Sequence, residues 1–147
     1  MTNIDILIGS TLGNAEYVAE HIEEQLQSTH NITMHYKPNL TDLSTDHIWL
    51  IVTSTHGAGE CPENIQPFLE QLKIQTKSFA NLRYNIVVLG DKNYDTYCLA
   101  GNLFNDQLTR LGGRSFNKMV CINAQNDLLP EEQIEEWLKN WQDQLSQ

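Results

Sequence analysis

The feature that most limits how this chain can fold is a regular alternation of short apolar segments with longer segments of helical periodicity. Apolar residues recur at helical spacing after every apolar segment except the second. Strands that alternate with helices form parallel sheets, because a parallel neighbour is reached only through a crossover connection. The sequence therefore predicts an α/β fold, with a doubly wound five-stranded parallel sheet and helices on both faces. The predicted strands begin near Ile4, Ile32, His47, Tyr84 and Phe116, and the last runs to Ile122.

The polarity of the predicted strands indicates their places in the sheet. The segment from His47 to Thr53 is nearly all apolar, as expected of a central strand covered on both faces. The segment from Ile32 to Tyr36 alternates with polar residues and suits an edge. The common doubly wound order of five strands is 2-1-3-4-5, and ligands bind at the carboxyl ends of its strands. The loops at that end are 10–15, 53–60 and 91–99.

Two prolines predict where helices begin, because proline suits the first helical position. We expect one helix to open at Pro62 and the C-terminal helix to open at Pro130. A length of 147 residues is typical of a single domain, so residues 1–147 are expected to form one folding unit.

The chain is strongly acidic, with 19 Asp and Glu against 9 Lys and Arg and a net charge of −10. Such a surface repels phosphate backbones and anionic lipids, so nucleic acid and membrane are poor partners and a basic protein is a good one. No apolar segment is long enough to span a bilayer, and the N-terminus lacks the features of a secretory signal, so we expect a cytoplasmic protein. The three cysteines have neither zinc-site nor disulfide-framework spacing, and no metal site is predicted.

The first of the three loops, Gly9-Ser-Thr-Leu-Gly-Asn-Ala15, joins a predicted strand to a predicted helix. Hydroxyls, an amide and backbone N–H groups at the positive end of a helix are suited to an anion. The letters match neither the Gly-Lys-[Ser/Thr] of a nucleoside-triphosphate loop nor the Gly-x-Gly-x-x-Gly of a dinucleotide site, so a single phosphomonoester fits best. The alternative is an ordinary Ser, Thr or Asn helix cap that holds no ligand.

The other two loops carry flexible glycines and aromatic rings. The second, Thr53-Ser-Thr-His-Gly-Ala-Gly-Glu-Cys-Pro-Glu-Asn64, has a backbone that can approach a flat ligand closely. The third, Leu89-Gly-Asp-Lys-Asn-Tyr-Asp-Thr-Tyr-Cys98, places Tyr94 and Tyr97 in a strand-to-helix connection, where we expect the rings to cover a ligand. Packing of either tyrosine on a neighbouring loop is the alternative.

All three loops, in this order, resemble those of the flavodoxin family, and in particular its small stand-alone MioC-type members. The second and third loops also resemble the FMN domains of cytochrome P450 and sulfite reductases. The resemblance covers nearly the whole chain and implies FMN as the cofactor. The cofactor-binding residues that it implies are Ser10, Thr11, Leu12, Gly13, Asn14, Ala15, Thr53, Ser54, Thr55, His56, Gly57, Ala58, Gly59, Gly90, Asp91, Asn93, Tyr94, Tyr97 and Cys98.

The resemblance also implies a role for each loop. The first loop binds the phosphate through N–H and hydroxyl groups, and residues 53–59 line one face of the isoalloxazine ring. Tyr94 stacks on the other face, and Asn93, Tyr97 and Cys98 complete the pocket. The chain departs from related FMN domains at His56, where they often carry an aromatic residue. An ordinary surface histidine is the alternative at that position.

A bound flavin supplies the redox chemistry itself, so we predict an electron carrier with no catalytic residues rather than an enzyme. The resemblance implies transfer of single electrons from a basic NADPH-dependent flavoprotein reductase to an acceptor enzyme, and the MioC-type proteins suggest biotin synthase as that acceptor. Two alternatives stay open. One is a flavin-dependent NAD(P)H:quinone reductase on the same fold, and the other is a flavodoxin-like interaction module that holds no flavin.

Overall fold

The alternation of strands and helices is present in a computed structural model, which describes residues 2–10, 13–55, 59–91, 98–123 and 128–145. The strands are β1 (Asn3–Gly9), β2 (Asn31–His35), β3 (Ile48–Ser54), β4 (Arg83–Gly90), β5 (Arg114–Ser115) and β6 (Val120–Asn123). The helices are α1 (Asn14–Leu26), α2 (Gln66–Ile74), α3 (Leu99–Arg110), α4 (Pro130–Gln133) and α5 (Glu135–Leu145), and a short 3-10 helix covers Leu40–Asp42.

Parallel pairing joins all these strands into one sheet, with the order β2-β1-β3-β4-β5 and with β6 also paired to β4. The predicted parallel sheet and its order 2-1-3-4-5 are confirmed. The central position of β3, between β1 and β4, agrees with its apolar sequence, and its residues from Trp49 to Thr53 are fully buried. The edge strand β2 carries only exposed and half-buried residues, as its polar alternation predicts.

The last predicted strand, from Phe116 to Ile122, is only partly present: residues 116–119 belong to no strand, and the short strands β5 and β6 lie before and after them. Pairing with β4 stops after β5 and resumes at Val120. Between the two strands, the Asn117 N–H donates to Asn85 Oδ1 over 3.0 Å instead of to a backbone carbonyl. The buried Asn85 side chain of β4 therefore holds the segment between the two short strands of this edge.

The two proline predictions have different outcomes. Pro62 does not open a helix. It begins a turn that precedes α2, in which the Ile65 N–H donates to the Pro62 carbonyl over 3.1 Å. That helix begins at Gln66 and carries Pro67 in its first turn. Pro130 does open α4, as predicted, but Ile134 separates α4 from α5, so the C-terminal helix is divided.

Two apolar layers, one on each face of the sheet, hold the helices in place. α2 and α3 pack on a layer around Trp49 and Phe68, while α1 and α5 pack on a layer around Ile22 and Trp141. Trp49 has edge-to-face contacts with Phe68 and Phe79, with ring centroids 5.9 and 5.8 Å apart. The helices therefore cover both faces and leave the ends of the strands to the loops. None of the helices in the described part of the chain is long and apolar enough to cross a membrane.

One buried carboxylate, that of Asp5 in β1, lies between two histidines. The ring nitrogens His35 Nε2 and His47 Nδ1 each lie 2.9 Å from one of its oxygens. Burial opposes the charge and raises the pKa of Asp5, but hydrogen bonds from both histidines and their positive charge outweigh burial and hold that pKa below its ordinary value. The ionised form of Asp5 therefore stabilises the fold.

The variant Asp5→Asn is expected to lower the free energy of unfolding near pH 7 by about 2 kcal/mol, the usual scale for hydrogen bonds to a charged group. Because folding lowers the pKa of Asp5, its contribution is fully present above the unfolded pKa of about 4 and is lost as the pH falls through the folded pKa. Urea unfolding at neutral and acid pH should show the difference between wild type and variant shrinking in acid. Asp46→Asn, at an exposed position, is the control. A difference in unfolding free energy that stays constant with pH would contradict a stabilising role for ionised Asp5.

Candidate functional site

The carboxyl ends of the three central strands meet at one edge of the sheet, where the strand order reverses. Gly9 at the end of β1 pairs with Thr53 of β3, and Ser54 pairs with Leu89 of β4. A Cβ on Gly9 would lie 2.4 Å from Thr53 Oγ1, so only glycine lets the strand ends approach this closely. The three predicted loops therefore begin side by side at the switch point, where sheets of this kind bind ligands.

The described part of the first loop presents backbone N–H groups at the start of α1. Gly13 precedes the helix with a φ of 90°, a left-handed conformation that favours glycine. Its N–H donates to Ser10 Oγ over 2.8 Å. Within the described ranges no side chain caps this helix, and the N–H groups of Asn14 and Ala15 have no partner inside a helix. Together with the helix dipole, these N–H groups provide the anion-binding arrangement that the sequence predicts.

Asn64 fixes the position of this loop, and sequence reasoning did not single it out. Its Oδ1 accepts a hydrogen bond from the Ser10 N–H at 2.9 Å, and its Nδ2 donates to the carbonyls of Ile8 (2.7 Å) and Tyr36 (2.8 Å). One side chain thus ties the turn before α2 to the ends of β1 and β2. The only trace of this role in the sequence is that Asn64 closes the second loop, because its partners lie far away along the chain.

The segment that follows β3 carries a buried hydroxyl that no described residue satisfies. The Thr55 N–H donates to the Leu89 carbonyl over 2.9 Å, which fixes the backbone, but Thr55 Oγ1 is buried and has no hydrogen-bond partner within the described part of the chain. Buried hydroxyls without partners are rare in native proteins because removing them from water is costly. Among the described residues, Thr55 Oγ1 is therefore the hydroxyl at this strand end that could bond to a polar atom of a ligand. The hydroxyl of the neighbouring Thr53 differs, since it donates to the Ser54 carbonyl at 3.1 Å.

Four more of the predicted residues lie at this edge of the sheet. Gly59 has a φ of 89°, and a Cβ there would lie 2.5 Å from the Leu99 side chain, so the second loop lies directly against the start of α3. Gly90 is the buried last residue of β4, and the half-buried Asp91 follows it. Cys98 is buried, with a φ of 61°, and immediately precedes α3.

The structure brings together all of the predicted site residues that it describes, namely Ser10, Gly13, Asn14, Ala15, Thr53, Ser54, Thr55, Gly59, Gly90, Asp91 and Cys98. The others, Thr11, Leu12, His56, Gly57, Ala58, Asn93, Tyr94 and Tyr97, lie outside the described residues, so stacking by Tyr94 stays a prediction. No group of three or more metal-ligating side chains occurs in the described ranges.

These residues fit FMN in two observable ways. The N–H groups that begin α1 suit a phosphate, because no described side chain caps them and they lie at the positive end of a helix dipole. The buried Thr55 hydroxyl, which has no partner among the described residues, lies at the neighbouring strand end, where the resemblance implies the isoalloxazine ring. Both features lie at the same edge of the sheet, as a ligand with a phosphate and a polar ring requires.

Comparison with known proteins agrees with this fit. The flavodoxin family model matches residues 6–137. The chain is 40% identical to the protein MioC of Escherichia coli O157:H7 over 143 residues, which are 96% of this chain and 97% of MioC. It is 36% identical to the flavoprotein alpha-component of NADPH sulfite reductase of Bacillus subtilis, over 92% of this chain and 22% of that protein. Among solved structures, a point mutant of a flavodoxin from Pseudomonas aeruginosa superposes with a TM-score of 0.90 at 28% identity, covering 99% of this chain and all of the other.

The predicted resemblance is therefore confirmed, and the family and the fold together support FMN as the cofactor. The family model covers most of the chain, including the ends of all the central strands and the start of α1. On these grounds, the chain belongs to the flavodoxin family.

Proposed function

We propose that this protein is an FMN-binding electron carrier, built as one domain over residues 1–147 and located in the cytoplasm. The observation that carries the proposal is the pairing of an uncapped helix start with a buried hydroxyl of Thr55 that lacks a partner among the described residues, at the switch point of the sheet. Bound FMN supplies the one-electron chemistry, and the protein holds the flavin in position and sets the electrostatic potential around it. No catalytic acid, base or nucleophile is required.

The residues of the first loop hold the phosphate in this proposal. Ser10 and Gly13 shape the turn, and the N–H groups of Asn14 and Ala15 donate to the phosphate oxygens. Asn64 acts as a positioning residue, because it holds the Ser10 backbone from outside the loop. A basic side chain is unnecessary, since the backbone donors and the helix dipole compensate the negative charge.

The surroundings of the site support transfer to and from other proteins. Glu60 and Glu63 are exposed in the second loop, and Leu99, Leu128 and Leu129 expose 40%, 52% and 55% of their surface. Apolar side chains among acidic ones suit brief contact with a basic partner, because charge accelerates encounter more than it strengthens the complex. We propose a basic NADPH-dependent flavoprotein reductase as the donor and a redox enzyme as the acceptor, with biotin synthase the candidate by resemblance to the MioC-type proteins.

Titration of the FMN-free protein with FMN, followed by flavin fluorescence, tests this function. We expect saturable quenching with one FMN bound per chain. A protein that leaves the fluorescence unchanged would be the flavin-free interaction module instead. Rapid reduction of the bound flavin by NADPH alone, with no reductase present, would identify a quinone-reductase type of enzyme and overturn the carrier proposal.

The variant Asn64→Ala is expected to weaken FMN binding by about tenfold and to lower the free energy of unfolding by about 2 kcal/mol, because Ser10 N–H and two carbonyls lose their partner. The same fluorescence titration and urea unfolding measure both effects. Asn31→Ala is the matched control, since this asparagine is exposed and its side chain bonds only to Asn3 among the described residues. Unchanged FMN affinity in a folded Asn64→Ala variant would remove the positioning role.

A further inference from the structure

Two of the three cysteines, Cys98 and Cys121, lie beside the same residue of the sheet, Val88 of β4. Cys121 of β6 is in register with Val88 of β4, and register partners in a parallel pair point to the same face. The sulfur of Cys98 lies 3.6 Å from the Val88 carbonyl oxygen. The two side chains therefore converge beside Val88, where the Cys98 thiol can donate to the ionised sulfur of Cys121. Both residues are in the thiol form.

The two thiols differ in a way that suits a two-step reaction. Cys98 is 2% exposed, whereas Cys121 lies on an edge strand and is exposed. The hydrogen bond from Cys98 stabilises the Cys121 thiolate and lowers its pKa, although partial burial acts in the opposite direction. The thiolate is the reactive form of cysteine, so Cys121 is both accessible and activated for attack.

Cys61 provides an internal comparison. It is 2% exposed and packs in the apolar layer under α2 and α3. Burial raises the pKa of its thiol, so that little thiolate forms. A reagent in solution therefore meets one reactive cysteine, Cys121, with Cys98 directly behind it.

We propose that Cys121 and Cys98 are a redox-active thiol pair that low-molecular-weight disulfides, such as glutathione disulfide, convert into an intramolecular disulfide. In the first step the Cys121 thiolate attacks one sulfur of the reagent, forms a mixed disulfide and releases one glutathione thiolate. In the second step Cys98 gives up its proton, attacks the Cys121 sulfur and releases the second glutathione. The protein loses two thiol protons and two electrons, and these convert one glutathione disulfide into two glutathione thiols.

The bond would join the start of α3 to the edge strand β6. Cys98 is the residue at which the third loop ends, so the disulfide gives that loop a covalent anchor at the carboxyl edge of the sheet. The chemistry uses no flavin, and it would proceed in the same way if the proposed electron-carrier function were wrong.

Incubation of the native full-length protein with glutathione disulfide, followed by intact-mass measurement and peptide mapping, tests the pair. We expect the wild type to lose the mass of two hydrogen atoms and to yield a peptide in which Cys98 is linked to Cys121. The Cys98→Ser variant should stop at a glutathione adduct on Cys121. The Cys121→Ser variant should lose thiols at least about tenfold more slowly, because its remaining cysteines are buried.

The Cys61→Ser variant is the control and should form the same internal disulfide as the wild type. A stable glutathione adduct on wild-type Cys121, disulfide-linked dimers, or thiols that react only after unfolding would each overturn the proposal. Because the linked peptide is mapped in the wild type, the result does not depend on how well the variants fold.

Discussion

Replacing Thr11 by Glu is expected to weaken FMN binding by at least about a hundredfold, because a carboxylate within about 5 Å of the phosphate at an effective dielectric of about 20 costs roughly 3 kcal/mol. We expect this repulsion because Thr11 lies between two residues of the proposed phosphate site. Ser10 and Gly13 shape a turn whose N–H groups are the proposed phosphate donors, and the sequence places Thr11 within that turn. Fluorescence titration of the FMN-free variant measures the loss.

Thr11→Gln is the matched control, since its side chain has nearly the same size as that of Glu and no charge. We expect it to bind FMN within a few-fold of the wild type. Raising the salt concentration should recover part of the affinity of Thr11→Glu and leave the control unchanged, because salt screens charge repulsion. Equal affinity in the two variants would place the phosphate somewhere else.

Trp49→Ala is expected to lower the free energy of unfolding by about 4 kcal/mol, the scale measured for large aromatic side chains removed from a core. Trp49 is fully buried, packs edge-to-face on Phe68 and Phe79, and donates its indole N–H to the Ser44 carbonyl over 3.0 Å. The variant therefore loses apolar burial and the indole hydrogen bond to the Ser44 carbonyl, which still accepts from the His47 N–H. Urea unfolding of the two proteins gives the difference.

An exposed aromatic residue provides the comparison for this experiment. Tyr17 on α1 has 60% of its surface exposed, and Tyr17→Ala should change the free energy of unfolding by less than about 0.5 kcal/mol. A loss of similar size in both variants would show that the layer around Trp49 does not dominate the stability of the sheet.

The sequence is sufficient to predict the fold because its strongest patterns are local. The apolar segment from His47 to Thr53 predicts the central strand, and the polar alternation after Ile32 predicts an edge. The division of the last strand could not be predicted, because the segment between its two parts bonds to a side chain, Asn85, of a different strand. A pattern of apolar residues contains no information about such a contact.

At the candidate site too, local patterns can be predicted from the sequence, whereas contacts between distant residues cannot. The loop that contains Ser10 and Gly13 is recognisable from adjacent letters, and these residues do lie together. The position of Asn64 depends on partners in β1 and after β2, and only the folded chain brings them within hydrogen-bonding distance. The lack of a partner for Thr55 Oγ1 among the described residues is likewise a property of three-dimensional packing.

The divided edge of the sheet has a consequence for how the protein behaves at high concentration. A long, regular edge strand offers unpaired backbone groups to another chain and promotes edge-to-edge aggregation. Here β5 and β6 are both short, and the exposed cations Arg114 and Lys118 lie in and shortly after β5. The interruption between β5 and β6 therefore protects this side of the sheet against templated β-assembly.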